Sequence, residues 1–149
     1  MSTNLSTALD DGPLVTKPGE KPQALLVDDD PDFLEQMRRG LESLGFDVTT
    51  AESEKGATEQ LSHWCPDLVV LDLIMDHPDS GFLLSYRVRK KYPKTPIIMV
   101  SAVTSRTGLN FEAVTPTERG WVKADALLAK PVRLEQLKRE VERLLPGRV

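Results

Sequence analysis

Short apolar runs recur along the chain, and longer stretches with a helical spacing of apolar residues separate them. Four runs hold four residues each: Ala24–Val27, Leu68–Leu71, Ile97–Val100 and Ala126–Ala129. A short apolar run between turn or charged residues is typical of a strand buried on both faces of a parallel sheet. Phe46–Ala51 is more polar, which favours a strand at a sheet edge. With their flanking residues, the predicted strands are Gln23–Asp28, Phe46–Ala51, Asp67–Asp72, Pro96–Ser101 and Asp125–Ala129.

Helices are predicted in the stretches between these strands. The first begins near Pro31, a residue suited to the first helical turn, and ends before Gly45. The second opens at Ser53, which we predict to cap it. The third follows Gly81 and the last follows Pro131. The residues predicted to face inward share helical spacing: Phe33, Leu34, Met37, Leu41 and Leu44; Ala57, Leu61 and Trp64; Phe82, Leu83 and Tyr86; Leu134, Leu137, Val141, Leu144 and Leu145.

The stretch from Val103 to Ala124 has the weakest pattern. Gly108, Pro116 and Gly120 stand there among polar residues. Two parallel strands need a crossover connection, because a hairpin joins only antiparallel strands. We therefore expect a short or irregular helix within a long loop.

The length and the tail predict the domain organisation. The chain has 149 residues, enough for one domain with a buried core. Residues 1–21 are rich in Ser, Thr, Gly, Pro and acids and show no sustained period, which predicts a flexible tail before a domain of residues 22–149. A docking peptide is the alternative interpretation of the tail. The last predicted helix reaches the C-terminus, so we expect no output domain.

Composition argues against several classes of protein. The net charge of −4 argues against direct nucleic-acid binding, which needs a basic face. Cys65 is the single cysteine, so no intrachain disulfide can form. No apolar stretch approaches the roughly 20 residues that span a bilayer, and the N-terminus lacks a secretory signal pattern. We therefore expect a cytoplasmic protein with no membrane partner.

A polar residue directly follows each of the four apolar runs. These residues are Asp28, Asp72, Ser101 and Lys130, and Asp29 extends the first of them. Ligands of an open parallel sheet bind at the carboxyl ends of its strands, where these side chains converge. The sequence therefore predicts carboxylates, a hydroxyl and an ammonium at one sheet edge.

This set of groups suits phosphoryl transfer. The Asp72 carboxylate can attack a phosphoryl group and form an acyl phosphate. Because both reactants are anionic, a cation must lower their repulsion, and Mg²⁺ typically binds one or two carboxylates together with phosphate oxygens. Asp28 and Asp29 supply those acids. Lys130 can pair with Asp72 and then with a phosphoryl oxygen, and Ser101 can donate to another.

Each residue also has a purely structural interpretation. A run of acids before a helix often serves only to cap it. We favour this interpretation for Asp30. Taken singly, Asp72 fits an ordinary loop acid, Lys130 fits a solvated charge and Ser101 fits a helix cap. The four residue types nevertheless fall at the same edge of one sheet, which makes their combination by chance a poor explanation.

The chain resembles the receiver domain of two-component response regulators. The resemblance covers about Gln23 to Leu145 and implies a flavodoxin-like (βα)5 fold, a doubly wound five-stranded parallel sheet in strand order 2-1-3-4-5. It implies a phosphoacceptor that receives its phosphoryl group from a histidine kinase or phosphotransfer protein, and the expected lack of an output domain adds that this is the stand-alone type. The segments that carry it are Leu25–Asp30, Pro66–Asp72, Val100–Ala102 and Lys130-Pro131.

The resemblance also implies a role for individual residues. Asp72 matches the phosphorylated aspartate, and Asp29 matches the direct carboxylate ligand of Mg²⁺. Asp28 matches an acid that acts on the metal through water, and Ile74 the position whose backbone carbonyl binds the metal. Ser101 and Lys130 match the two phosphoryl-sensing positions. The peptide bond from Lys130 to Pro131 is expected to be cis, as is common in the family.

Three features depart from the family's usual pattern. Leu127 occupies the switch position, three residues before the lysine, where an aromatic side chain is common. Gly81 comes one residue later than usual after the phosphoacceptor. The segment between Ser101 and Leu127 is longer than usual, which predicts an unusual downstream protein partner.

Other functions remain open from the residues alone. A receiver-like binding module that never takes phosphate would share the fold. A metal-dependent aspartyl phosphatase is the enzyme alternative, supported only by the spacing of Asp28 and Asp30, and turnover of a phosphomonoester would distinguish it. A nucleotide-binding protein is disfavoured because no Gly-rich loop follows the first strand. We expect a signalling protein rather than an enzyme.

Overall fold

Five parallel strands form a single sheet at the centre of the protein. A computed structural model describes residues 21–73, 80–101 and 124–147. The strand order β2-β1-β3-β4-β5 confirms the predicted doubly wound α/β fold. Ile74, residues 1–20 of the predicted tail and residues 103–123 of the predicted crossover lie outside the described residues. The strands are β1 Gln23–Val27, β2 Asp47–Ala51, β3 Leu68–Asp72, β4 Ile97–Ser101 and β5 Ala126–Ala129.

The described helices cover both faces of the sheet. They are α1 Pro31–Ser43, α2 Glu54–Leu61, α3 Ser80–Lys91 and α4 Leu134–Leu144. Side chains of α1 and α4 share one buried cluster on one face, and side chains of α2 and α3 share a second cluster on the other. None of the helices in these ranges is long and apolar enough to cross a membrane.

Local sequence signals set the ends of the first two helices. Asp30 caps α1, because its carboxylate accepts the backbone N–H of Asp32 over 3.0 Å. Gly45 follows α1 with a φ of +101°, a backbone conformation that glycine adopts without steric cost. Ser53 caps α2 by accepting the N–H of Gly56 over 3.0 Å. The predicted capping roles of Asp30 and Ser53 are confirmed.

The predicted inner face of the third helix is partly wrong. Leu83 is 44% exposed and Tyr86 is 57% exposed, and only Phe82 packs against the core. The helix begins at Ser80, and its orientation turns the row of Gly81, Leu84, Ser85 and Val88 inward instead. Residues at positions i, i+3, i+4 and i+7 share one helix face, so Leu83 and Tyr86 fall outside it.

Strand β5 and Leu134 are also more exposed than the apolar pattern predicts. β5 is half-buried, whereas its run predicts full burial, because it pairs with β4 alone among the described strands and forms a sheet edge. Leu134, the first residue of α4, is 47% exposed. Leu137 and Val141 hold the predicted buried stripe of α4.

Gly81 allows α3 to begin against the end of β3. Its N–H donates to the carbonyl oxygen of Leu73 over 2.9 Å. A Cβ at Gly81 would lie 2.5 Å from the carbonyl oxygen of Asp72 and 2.5 Å from the Cα of Leu73, so a side chain cannot fit without a backbone shift. The glycine therefore fixes how closely α3 approaches the carboxyl end of β3.

We predict that Gly81→Ala lowers the free energy of unfolding by about 1–3 kcal/mol, the usual cost of overpacking. Gly40→Ala is the matched control, because its new Cβ would be 3.5 Å from Leu137 and 3.6 Å from Leu134, at ordinary contact distance. Replacing a glycine by alanine inside a helix usually raises the free energy of unfolding by about 0.5–1 kcal/mol. Urea unfolding measures both variants, and a Gly81→Ala protein as stable as wild type would contradict the proposed close packing.

Candidate functional site

The parallel register brings the predicted site residues to one edge of the sheet. Val27 pairs with Leu71, so the next residues, Asp28 and Asp72, lie side by side where β1 and β3 end. β4 ends at Ser101, which pairs with Ala129 of β5. The chain continues from Ala129 directly into Lys130. Four separate segments therefore deliver their polar residues to the same place.

Three carboxylates form a cluster at this edge. One oxygen from each of Asp28, Asp29 and Asp72 lies within 4.8 Å of the other two. Asp28 is fully buried, Asp72 is 6% exposed and Asp29 is exposed. The cluster therefore reaches from the protein interior to solvent, with Asp29 on the open side.

Lys130 provides the positive charge next to these acids. Its Nζ lies 2.8 Å from Oδ2 of Asp28 and 3.5 Å from Oδ2 of Asp72. Burial alone lowers the pKa of Lys130, but its interactions with Asp28 and Asp72 outweigh burial and raise the pKa above its ordinary value. The predicted contact with Asp72 is present, and the shorter contact is with Asp28.

An aromatic ring completes the surroundings of the ammonium. Lys130 Nζ lies 4.2 Å from the centroid of the Phe33 ring, which is 7% exposed. The apolar spacing of the first helix identifies Phe33 only as an inward-facing residue. Its position in the first turn of α1, a few residues after the acids that follow β1, is the sequence signal that places it near the site.

Of the remaining predicted residues, Ser101 lies at the end of β4 and Leu127 lies within β5. Ser101 is 3% exposed at the end of β4, and its carbonyl oxygen accepts the N–H of Lys130 over 2.9 Å. Leu127 lies within β5 and packs against the cluster of α2 and α3. Ile74 lies outside the described residues. The peptide bond from Lys130 to Pro131 is cis, as expected.

The acidic cluster fits a divalent cation. Oδ1 of Asp28 accepts the N–H of Asp30 over 2.9 Å. Oδ2 of Asp28 is buried and lies 2.8 Å from the Lys130 ammonium, which leaves a further lone pair of this oxygen for a cation. A buried carboxylate oxygen with spare capacity beside two other carboxylates is a donor set that suits Mg²⁺.

The sequence matches known response regulators. A family model for the response regulator receiver domain matches residues 24–142. Transcriptional regulatory protein GlrR of Escherichia coli strain K12 is 36% identical over 118 residues, which make up 79% of this chain and 25% of GlrR. The chain thus spans about a quarter of the length of that relative.

Two solved structures share the fold. The chemotaxis response regulator CheY4 of Vibrio cholerae has a TM-score of 0.69 and 27% identity, and the match covers 84% of this chain and 99% of CheY4. The response regulator protein TrrA of Thermotoga maritima, in complex with Mg(2+)-BeF, has a TM-score of 0.68 and 27% identity. That match covers 83% of this chain and 99% of TrrA.

We predict that Lys130→Met lowers the free energy of unfolding at neutral pH by about 3 kcal/mol in EDTA, because it leaves the buried Asp28 charge without its cationic partner. Because the pKa of Lys130 is raised in the folded protein, its charge stabilises the fold fully below its ordinary pKa of 10.5. This stabilisation is lost as the pH rises through the higher folded-state pKa. Urea unfolding at pH 7 measures the difference. Lys138→Met, at an exposed position of α4, is the control and should leave stability nearly unchanged.

A Lys130→Met protein with wild-type stability in EDTA would show that the ammonium does not compensate the acids. Mg²⁺ should then be added to the same samples. Because the ion would replace the missing positive charge, we expect it to stabilise Lys130→Met more than wild type.

Proposed function

Since the chain belongs to the family of response regulator receiver domains, we propose that it accepts a phosphoryl group on Asp72 from a histidine kinase or a phosphotransfer protein. Phosphorylation would then change its binding to a downstream protein. The observation that carries the proposal is the grouping of Asp72 with Asp28, Asp29 and Lys130 at the carboxyl edge of the sheet. A cytoplasmic location and the absence of direct nucleic-acid binding stay predictions.

Asp72 is the group suited to attack. One of its carboxylate oxygens forms a bond to phosphorus as the phosphorus–nitrogen bond of the donor phosphohistidine breaks. The leaving imidazole keeps the electron pair of that bond and takes a proton from solvent. Asp72 is nearly buried, so the phosphoryl group would enter from the side on which Asp29 is exposed.

The carboxylates of Asp28, Asp29 and Asp72 would hold Mg²⁺. When bound, the ion would reduce the repulsion between the Asp72 carboxylate and the incoming phosphoryl oxygens. The TrrA complex with Mg(2+)-BeF supports this assignment by analogy. The proposed contribution of the Ile74 backbone carbonyl falls outside the described residues.

Lys130 and Ser101 would recognise the phosphorylated state. Lys130 Nζ already lies 3.5 Å from Asp72, so a short movement brings it to an oxygen of the new phosphoryl group. Ser101 ends the neighbouring strand and its hydroxyl would donate to another oxygen. Leu127 lies in the adjacent edge strand, where repacking would change the surface that a partner contacts.

Signalling is favoured over phosphatase activity. The phosphatase alternative needs Asp30 as a general acid two residues after Asp28. The Asp30 carboxylate instead accepts the N–H of Asp32 and caps α1. This cap supports a structural role for Asp30, the residue on which the enzyme alternative depends.

We predict that incubation with Mg²⁺ and acetyl phosphate adds one phosphoryl group to the protein and that Asp72→Ala abolishes the addition. Intact-mass spectrometry measures the product. Asp47→Asn is the control variant, because Asp47 is an exposed acid at the opposite end of the sheet and should leave labelling unchanged.

Labelling that persists in Asp72→Ala would refute the assigned phosphoacceptor. A wild-type protein that takes no phosphoryl group would favour the binding module that shares the fold. Continuous release of phosphate from a phosphomonoester would favour the phosphatase.

The metal assignment gives a separate prediction. Asp29→Asn should weaken Mg²⁺ binding about 10-fold or more, because it removes one charged ligand of a hard cation. Isothermal titration calorimetry measures the affinity. Asp32→Asn makes the same chemical change at an exposed position three residues away, and it should bind Mg²⁺ like wild type. Equal affinity of the two variants would contradict the proposed site.

A further inference from the structure

Phe33 contacts the candidate site from the side of α1. The centroid of its ring lies 4.2 Å from Lys130 Nζ, within the roughly 6 Å over which a cation and an aromatic face attract each other. Phe33 also belongs to the buried cluster that contains Val132, two residues after the lysine. The packing of this cluster therefore fixes the ring next to the segment that carries Lys130.

The ring and the carboxylates act on the ammonium in different ways. An ammonium group has three N–H donors, and the carboxylates of Asp28 and Asp72 lie on its polar side at 2.8 and 3.5 Å. An aromatic face attracts the charge without demanding a particular hydrogen-bond direction. The ammonium can therefore move between the two carboxylates while it remains over the ring.

We propose that Phe33 is a positioning residue for Lys130, which holds the ammonium at the acidic cluster and lets it move from Asp28 toward a phosphoryl group on Asp72. This inference rests on the phosphoacceptor role proposed above. Phe33 acts through Lys130 rather than on the phosphoryl group itself. An aliphatic residue at this position would fill the same space but would not attract the charge.

A double-mutant cycle tests the contact without any phosphorylation. Phe33→Leu removes the ring and keeps an apolar side chain, and Lys130→Met removes the charge. We expect Phe33→Leu to raise the unfolding equilibrium constant about 3- to 10-fold more when Lys130 is present than when it is Met. Equal effects in the two backgrounds would overturn the proposed contact.

A spectroscopic measurement tests the same contact in the folded protein. The ring current of Phe33 should shift the Lys130 Hε protons upfield in the NMR spectrum. The shift should vanish in Phe33→Leu and remain in Phe33→Tyr, which keeps the ring. Unshifted Hε protons in the wild-type protein would contradict the geometry.

The positioning role is tested by the initial rate of phosphorylation with acetyl phosphate at saturating Mg²⁺. We expect Phe33→Leu to be about 3- to 10-fold slower than wild type, the range that a cation–π contact supports. Phe33→Tyr should stay near the wild-type rate. Phe33→Leu should cause no further loss in the Lys130→Met background, because its effect passes through the lysine.

Leu41→Ala controls for a general loss of packing. Leu41 is fully buried in the same cluster but two helical turns further along α1, so its rate, corrected for the folded fraction, should match wild type. If Phe33→Leu is phosphorylated at the wild-type rate, or if Lys130→Met is, the positioning role is wrong and the phosphoacceptor role of Asp72 stands. A wild-type protein that is never phosphorylated would overturn both proposals.

Discussion

The rest of the site depends on the ion pairs that Lys130 forms with Asp28 and Asp72. Three carboxylates within 4.8 Å of one another repel, and two of them are almost completely buried. Burying a charged group is costly unless an opposite charge, hydrogen bonds or a metal ion compensate it. Lys130 supplies that charge at 2.8 and 3.5 Å. Under the proposed function, a divalent cation and a phosphoryl group would join this cluster, and each would change its balance of charge.

The sheet makes this arrangement possible because its strands are parallel. Each strand of the site ends at the same edge, and the polar residue after each apolar run is delivered there by the register. Buried clusters cover both faces of the sheet, while α1 and α3 begin next to this edge. Asp30 and Gly81 secure those two helix starts by a cap and by close backbone packing. Structural residues thus set the geometry of the candidate site.

The sequence predicts the strands, their order and the convergence of the acids with Lys130, because each depends on local apolar patterning and on a general property of parallel sheets. It does not predict the inner face of α3, because apolar residues occur on more than one face of this helix and tertiary packing turns Leu83 and Tyr86 outward. It also misses the shorter contact of Lys130 with Asp28 and the ring of Phe33 over the ammonium. Those contacts depend on how side chains from separate segments pack, which no local pattern contains.

A crystal structure of the protein with Mg²⁺ would test whether the acids and Lys130 form one metal-binding site. We expect the ion among the carboxylates of Asp28, Asp29 and Asp72, with Lys130 Nζ still within about 4 Å of an Asp72 oxygen, the reach of an ion pair. An ion bound elsewhere, or a Lys130 side chain turned away from Asp72 into solvent, would contradict it.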